Sequence, residues 1–185
     1  AEGQVLLRNE GNVLPIPAGT HLAVFGRMQL NYYKSGTGSG GMVNTKYVVS
    51  IIDALKKEDI RLNQELIDTY EEWRKNNPVE LGAGWGQEPW CQKEMPLDEE
   101  IVSAAAQKSE AAIVVIGRTA GEDKDNSKDA GSYCLTEEEE DMHQPVAILY
   151  TNDVHTYIDN PLSYDVIAGI KAELEKIREQ TQNIE

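Results

Sequence analysis

The chain has 185 residues, with 17 basic and 32 acidic side chains and a formal charge of −15. That length suits one domain, and a 40% hydrophobic share is enough to bury a core, so a disordered tail is excluded. The acidic excess argues against nucleic-acid partners, which need a cationic surface to release counterions, and against anionic membranes.

No run of eighteen apolar residues is long enough to span a membrane, and no basic, apolar-cored start resembles a signal peptide. The compartment stays open, with the cytoplasm favoured. Because the first residue is Ala1, the expectation is a processed chain or a piece of something longer. Cys91 and Cys134 form no CxxC pair, which speaks against structural zinc. One disulfide is allowed; two ordinary buried thiols are favoured.

In chain order, Leu22–Gly26 is a short apolar run ending in glycine and reads as a buried strand. Val48, Val49, Ile51, Ile52 and Leu55 follow helical spacing. Leu62, Leu66, Ile67, Tyr70 and Trp73 form a second helical stripe, stopped by Asn76-Asn77-Pro78. Residues 78–96 carry Pro, Gly and two Trp without a period and read as a loop. Asp98, Glu99 and Glu100 stand where a helix start favours acids, and Ile101–Lys108 continues that helix.

Ala111–Gly117 is the clearest strand, apolar on both faces as a central parallel strand should be. Arg118–Ser132 is polar, rich in Gly and Asp, and reads as a loop at that strand's carboxyl end. Thr136 and Glu139 form a capping box opening a helix that must stop at Pro145. The acidic run Glu137–Asp141 reads as the solvated start of that helix. Val146–Tyr150 is a third apolar strand. Ser163 is placed to cap a last helix with the stripe Val166, Ile167, Ile170, Leu174 and Ile177. This alternation predicts an α/β fold: a three-layer α/β/α sandwich around a mostly parallel sheet.

In such a sheet, ligands gather at the carboxyl ends of the strands. Three loops qualify by position. The first, Lys34–Gly41, has four glycines in six positions, which lets backbone approach a ligand closely. It is not a P-loop, because Lys34 precedes the glycines. A flexible surface turn is an equal alternative. The second, Gly121–Asn126, sets carboxylates just past a buried strand, where acid/base chemistry is well placed. Charged loops are common, so this signal is weak alone. The third, Thr151–His155, offers Asp153 and His155 as one oxygen and one nitrogen ligand. Two ligands do not make a metal site, and a polar strand end is the better account of that piece.

Together these residues resemble a known family. Ala1–Glu10 with Val13-Leu14-Pro15, the strand Val24-Phe25-Gly26, and Ser35–Gly40 are similar to the second, sandwich-like domain of glycoside hydrolase family 3. So are Ile116–Glu122 and Gly131–Thr136, which resemble its catalytic loop. The resemblance covers residues 1 to about 142. It implies the (α/β)6 second-domain type of sandwich and leaves open whether the sheet is complete here.

The family implies a retaining β-glycosidase with an Asp nucleophile on a TIM barrel and a Glu acid/base on this domain. By that match Glu122 is the acid/base and Asp125 is the loop's Asp. Asn126 stands where an Arg is often found. Lys34, Thr37, Trp85 and Trp90 join Asp125 as candidates for substrate contact, although the two Trp read better as cover for the core. The partners implied are a β-linked oligosaccharide or glucoside and a TIM-barrel catalytic domain, with no cofactor. A barrel needs about 250 residues, so these 185 cannot include one, and this chain alone is expected to be inactive or nearly so.

The last part, residues 143–185, resembles instead the first strand and metal motif of calcineurin-like metallophosphatases and 5′-nucleotidases. There Asp153 and His155 would be ligands of a two-metal centre, and a divalent metal would be the cofactor. A βα unit of this kind could complete the sandwich. A metal-dependent phosphoesterase fragment and a non-catalytic carbohydrate-binding module are thus the alternatives to the glycosidase reading.

Overall fold

The computed structural model describes residues 4–42, 44–121 and 125–142. Three strands form one sheet: β1 (His21–Phe25), β2 (Arg61–Leu62) and β3 (Ala111–Val114). Their order is β2-β1-β3, and both pairings are parallel. Leu22, Ala23, Val24 and Phe25 sit opposite Ala111, Ala112, Ile113 and Val114. The ladder continues one step further, where Val115 N–H donates to Phe25 O at 2.9 Å.

Side chains alternate across the sheet with the period of two that strands impose. Ala23, Phe25, Val114 and Ile116 face one cluster, with Leu66, Tyr70, Met95, Ala105 and Met142. Leu22, Val24, Ile113 and Val115 face the other, with Met28, Ile52 and Ile67. Because β1 and β3 are covered on both faces, they read as unbroken apolar runs. The three-layer α/β arrangement expected from the sequence is present.

The helices follow their caps. Helix α1 (Ile51–Leu55) begins after Ser50, whose hydroxyl accepts from Asp53 N while the Asp53 carboxylate accepts from Ser50 N. These bonds hold the Asp53 carboxyl below its usual range. Val48 and Val49, assigned to that helix from spacing, lie before the cap and are exposed. Helix α2 (Gln64–Asn76) is capped by Asn63, which accepts from Leu66 N at 3.1 Å. Leu62 therefore belongs to β2 and not to the helical stripe. Its strand is fixed by Arg61 N–H to Thr20 O and Asn63 N–H to Leu22 O, each 2.9 Å. A two-residue strand is too short to leave a periodic signal.

Asp98 caps helix α3 (Glu99–Gln107), accepting from Ile101 N at 2.8 Å. Helix α4 (Glu137–Met142) opens with the expected capping box. Thr136 N donates to the Glu139 carboxylate, and Glu139 N donates to the Thr136 hydroxyl. The strand expected at 146–150 and the helix after Ser163 lie outside the described residues. No helix among the described residues is long and apolar enough to cross a membrane.

Gly26 ends β1 with φ +95°, and a Cβ there would stand 2.1 Å from Val115 O, so only glycine fits. Its N–H donates to the buried Tyr70 hydroxyl at 2.8 Å. Replacing Tyr70 with Phe keeps the ring and leaves that N–H without an acceptor. The expected loss is about 1–3 kcal/mol of unfolding free energy with an unchanged m-value, read from urea denaturation.

Candidate active-site loops at the carboxyl edge

Parallel pairing sends the segments after β1 and β3 out from the same edge of the sheet. There the two loops join. Thr37 N–H donates to Ala120 O at 2.8 Å, and Thr37 bridges Gly121 in parallel fashion. The contact is close enough that a Cβ on Gly121 would lie 1.7 Å from the Thr37 hydroxyl. The glycine pattern of the first loop, read as equally a flexible turn, is here part of a defined seam. A third segment backs it: Thr119 N–H donates to Trp90 O at 2.8 Å, and the Thr119 hydroxyl donates to Pro89 O at 2.8 Å.

Arg118, three residues before Gly121, enters a buried ion pair. Arg118 and Glu139 side chains are 9% and 5% exposed, and both guanidinium Nη atoms reach the carboxylate at 2.6 Å. The remaining donors go to backbone oxygens: Nε to Ser132 at 2.7 Å, Nη1 to Gly117 at 2.9 Å and Nη2 to Cys134 at 3.1 Å. The turn they grip is tight in itself. Gly131 N–H donates to Cys134 O, and Ser132 N–H and Cys134 N–H donate to Asp129 O. The Ser132 hydroxyl accepts from Ser127 N at 3.0 Å.

The sequence candidates fall in different places. Thr37 is buried at 3%, so its hydroxyl faces Gly121 and not solvent. Lys34 and Asp125 are exposed. Trp85 is 62% exposed, which overturns its assignment as core cover, whereas Trp90 is half-buried and lends its carbonyl to Thr119. The loop carboxylate Glu122 lies outside the described residues, as do Asp153 and His155. Among the described residues, no three His, Cys, Asp or Glu side chains are grouped to hold a metal.

Both cysteines are free. Cys91 is half-buried, and burial pushes its thiol up; Cys134 is exposed, against the expectation of two buried thiols.

Two buried carboxylates have surroundings that no sequence signal indicates. Glu139 belongs by sequence to a solvated acidic run, yet it is 4% exposed because it pairs with Arg118. The capping-box spacing gave its position but not its partner. Glu94 is 6% exposed beside Arg27, just after β1. Its oxygens accept from Arg27 N at 2.8 Å and Met95 N at 2.7 Å. The Arg27 guanidinium turns away to Lys93 O and Asn77 O and lies over Trp73, 5.1 Å from its ring centre. Burial pushes the Glu94 carboxyl up to about 7, against the pull of the two N–H donors and Arg27. No pattern in residues 78–96 signalled this.

Residues 4–172 match the family model of the glycosyl hydrolase family 3 C-terminal domain. A β-glucosidase of Ruminococcus albus is 54% identical over 139 residues, covering 75% of this chain and 15% of that protein. The crystal structure of a β-glucosidase from Paenibacillus barengoltzii is similar with TM-score 0.75 and 53% identity, over 80% of this chain and 17% of that one. β-Glucosidase 3B of Thermotoga neapolitana, solved with α-D-glucose, gives TM-score 0.62 at 30% identity, over 76% of this chain and 19% of that one. The chain thus spans between 15% and 19% of the length of these relatives. The family match runs past residue 142 and through Asp153 and His155, so the metallophosphatase reading of the last part is not supported.

The seam and Glu94 each make a prediction. Gly121→Ala forces Thr37 aside and is expected to cost about 1–3 kcal/mol, with loss of protection at the Thr37 amide in hydrogen exchange. For Glu94, the folded carboxyl holds its proton to a higher pH than an unfolded one. As pH rises from the ordinary carboxylate range through about 7, the unfolded state binds fewer protons than the native state, so this group's contribution to stability falls. Glu94→Gln is expected to flatten that part of the stability profile, measured by urea unfolding at pH 5 and pH 8.

Proposed function

The chain belongs to the glycosyl hydrolase family 3 C-terminal domain family, and on that premise we propose that it is the acid/base-bearing domain of a retaining β-glycosidase. The observation that carries this is the joined pair of loops at the carboxyl edge of a parallel sheet, where such folds present ligand-facing groups. Glu122 follows directly on Gly121, the residue seamed to Thr37.

Glu122 would first protonate the departing glycosidic oxygen and then take a proton from the attacking water. The nucleophilic carboxylate would come from a barrel domain outside these 185 residues, which leaves this chain little activity of its own. Packing of that barrel over the loop would exclude water and raise the Glu122 carboxyl toward the pH at which it must donate. The substrates are β-linked glucosides or oligosaccharides, in keeping with relatives that are named β-glucosidases. Trp85 and Lys34, both exposed, and Asp125 are proposed to meet the sugar. Thr37 contributes through the loop it holds.

Adding this chain to a separately expressed family 3 barrel should restore hydrolysis of aryl β-glucosides. Glu122→Gln should then lower turnover of substrates with poor leaving groups by about 10²–10⁴-fold. Complemented activity that ignores this substitution would show that Glu122 is not the acid/base.

A further inference from the structure

Arg118 sits between two ends of one loop. It is the second residue after the buried Ile116, and its guanidinium reaches Ser132, Cys134 and Glu139 on the far side. The bonds to Ser132 O, Gly117 O, Cys134 O and the two Glu139 oxygens use all five N–H donors of the fork. A lysine has no such planar fork and could not span these acceptors together. Glu139 is held in turn by Thr136 N–H, so the clamp is tied to the first turn of α4. Together these contacts close the base of the loop that runs from residue 119 to residue 131.

We propose that Arg118, paired with Glu139, is a positioning residue that fixes where this loop presents its proton-transfer carboxylate. The proposal rests on the acid/base reading above. A clamp at the base fixes the two described ends from which the loop departs, and proton transfer is sensitive to misplacement on the scale of an ångström. The Thr37–Gly121 seam ties the loop at Gly121, and the ion pair ties it at Arg118. Opening either end leaves the carboxylate attached but misplaced.

The test uses three variants: Arg118→Lys, Glu139→Gln, and the double change Arg118→Met with Glu139→Leu. The double variant leaves no uncompensated buried charge, so the fold has the best chance to survive without the clamp. In the full chain alone, amide exchange at Gly131, Ser132 and Cys134 should accelerate by roughly tenfold or more, while Val24 in β1 stays protected. With the barrel supplied, turnover of 4-methoxyphenyl β-glucoside should fall roughly 10–100-fold, and that of 2,4-dinitrophenyl β-glucoside, whose leaving group needs no proton, should hardly change. Equal losses on both substrates, or wild-type exchange at 131–134 in the double variant, would overturn the proposal. Glu122→Gln run in parallel separates the two ideas. If it shows no leaving-group dependence, the acid/base reading fails, and the exchange data still decide whether Arg118 orders the loop.

Discussion

The parallel register of β1 and β3 is the constraint on which the candidate site depends. Both strands are dry on both faces, so neither can slip by one residue without turning its entire apolar set to the wrong layer. With the register fixed, the chain leaves both strands at the same edge and at the same height. Thr37 and Gly121 can then meet backbone to backbone. An antiparallel pairing of the same two sequences would place these loops at opposite ends of the sheet.

Buried charge does the rest of the positioning. Arg118 and Glu139 are drawn out of water together, and breaking such a pair by removing one partner typically costs about 3–5 kcal/mol, because the other charge stays behind. Glu94 is handled differently. It has no guanidinium fork of its own, only two backbone N–H donors, and so burial wins and its proton is held to a higher pH. One carboxylate is thus paired with a guanidinium, and another is poised to carry its proton near neutrality beside Arg27. Each arrangement is local, yet each depends on segments brought together from distant parts of the chain.

Among the described residues, the carboxyl edge of the sheet is ordered by contacts made within the chain. The segment after β3 is tied at Gly121 to the segment after β1, and at Arg118 to the first turn of α4. The seam, the fork and the capping box supply that order within this chain.

The sequence by itself determined β1, β3, the caps at Asp98 and Thr136, and the α/β layering. Each rests on a local signal: a dry apolar run, an N-terminal acid, or a three-residue capping spacing. It also pointed to the loops after both strands as the place for chemistry. Only the tertiary structure decided that Leu62 is strand, that Thr37 is buried against Gly121, that Trp85 stands out in solvent, and that Glu139 leaves its acidic run to meet Arg118. Those facts come from partners far away in the sequence. A periodic pattern records which face of an element is apolar, but it carries no information about which distant donor will neutralise a charge or which backbone will press against a glycine.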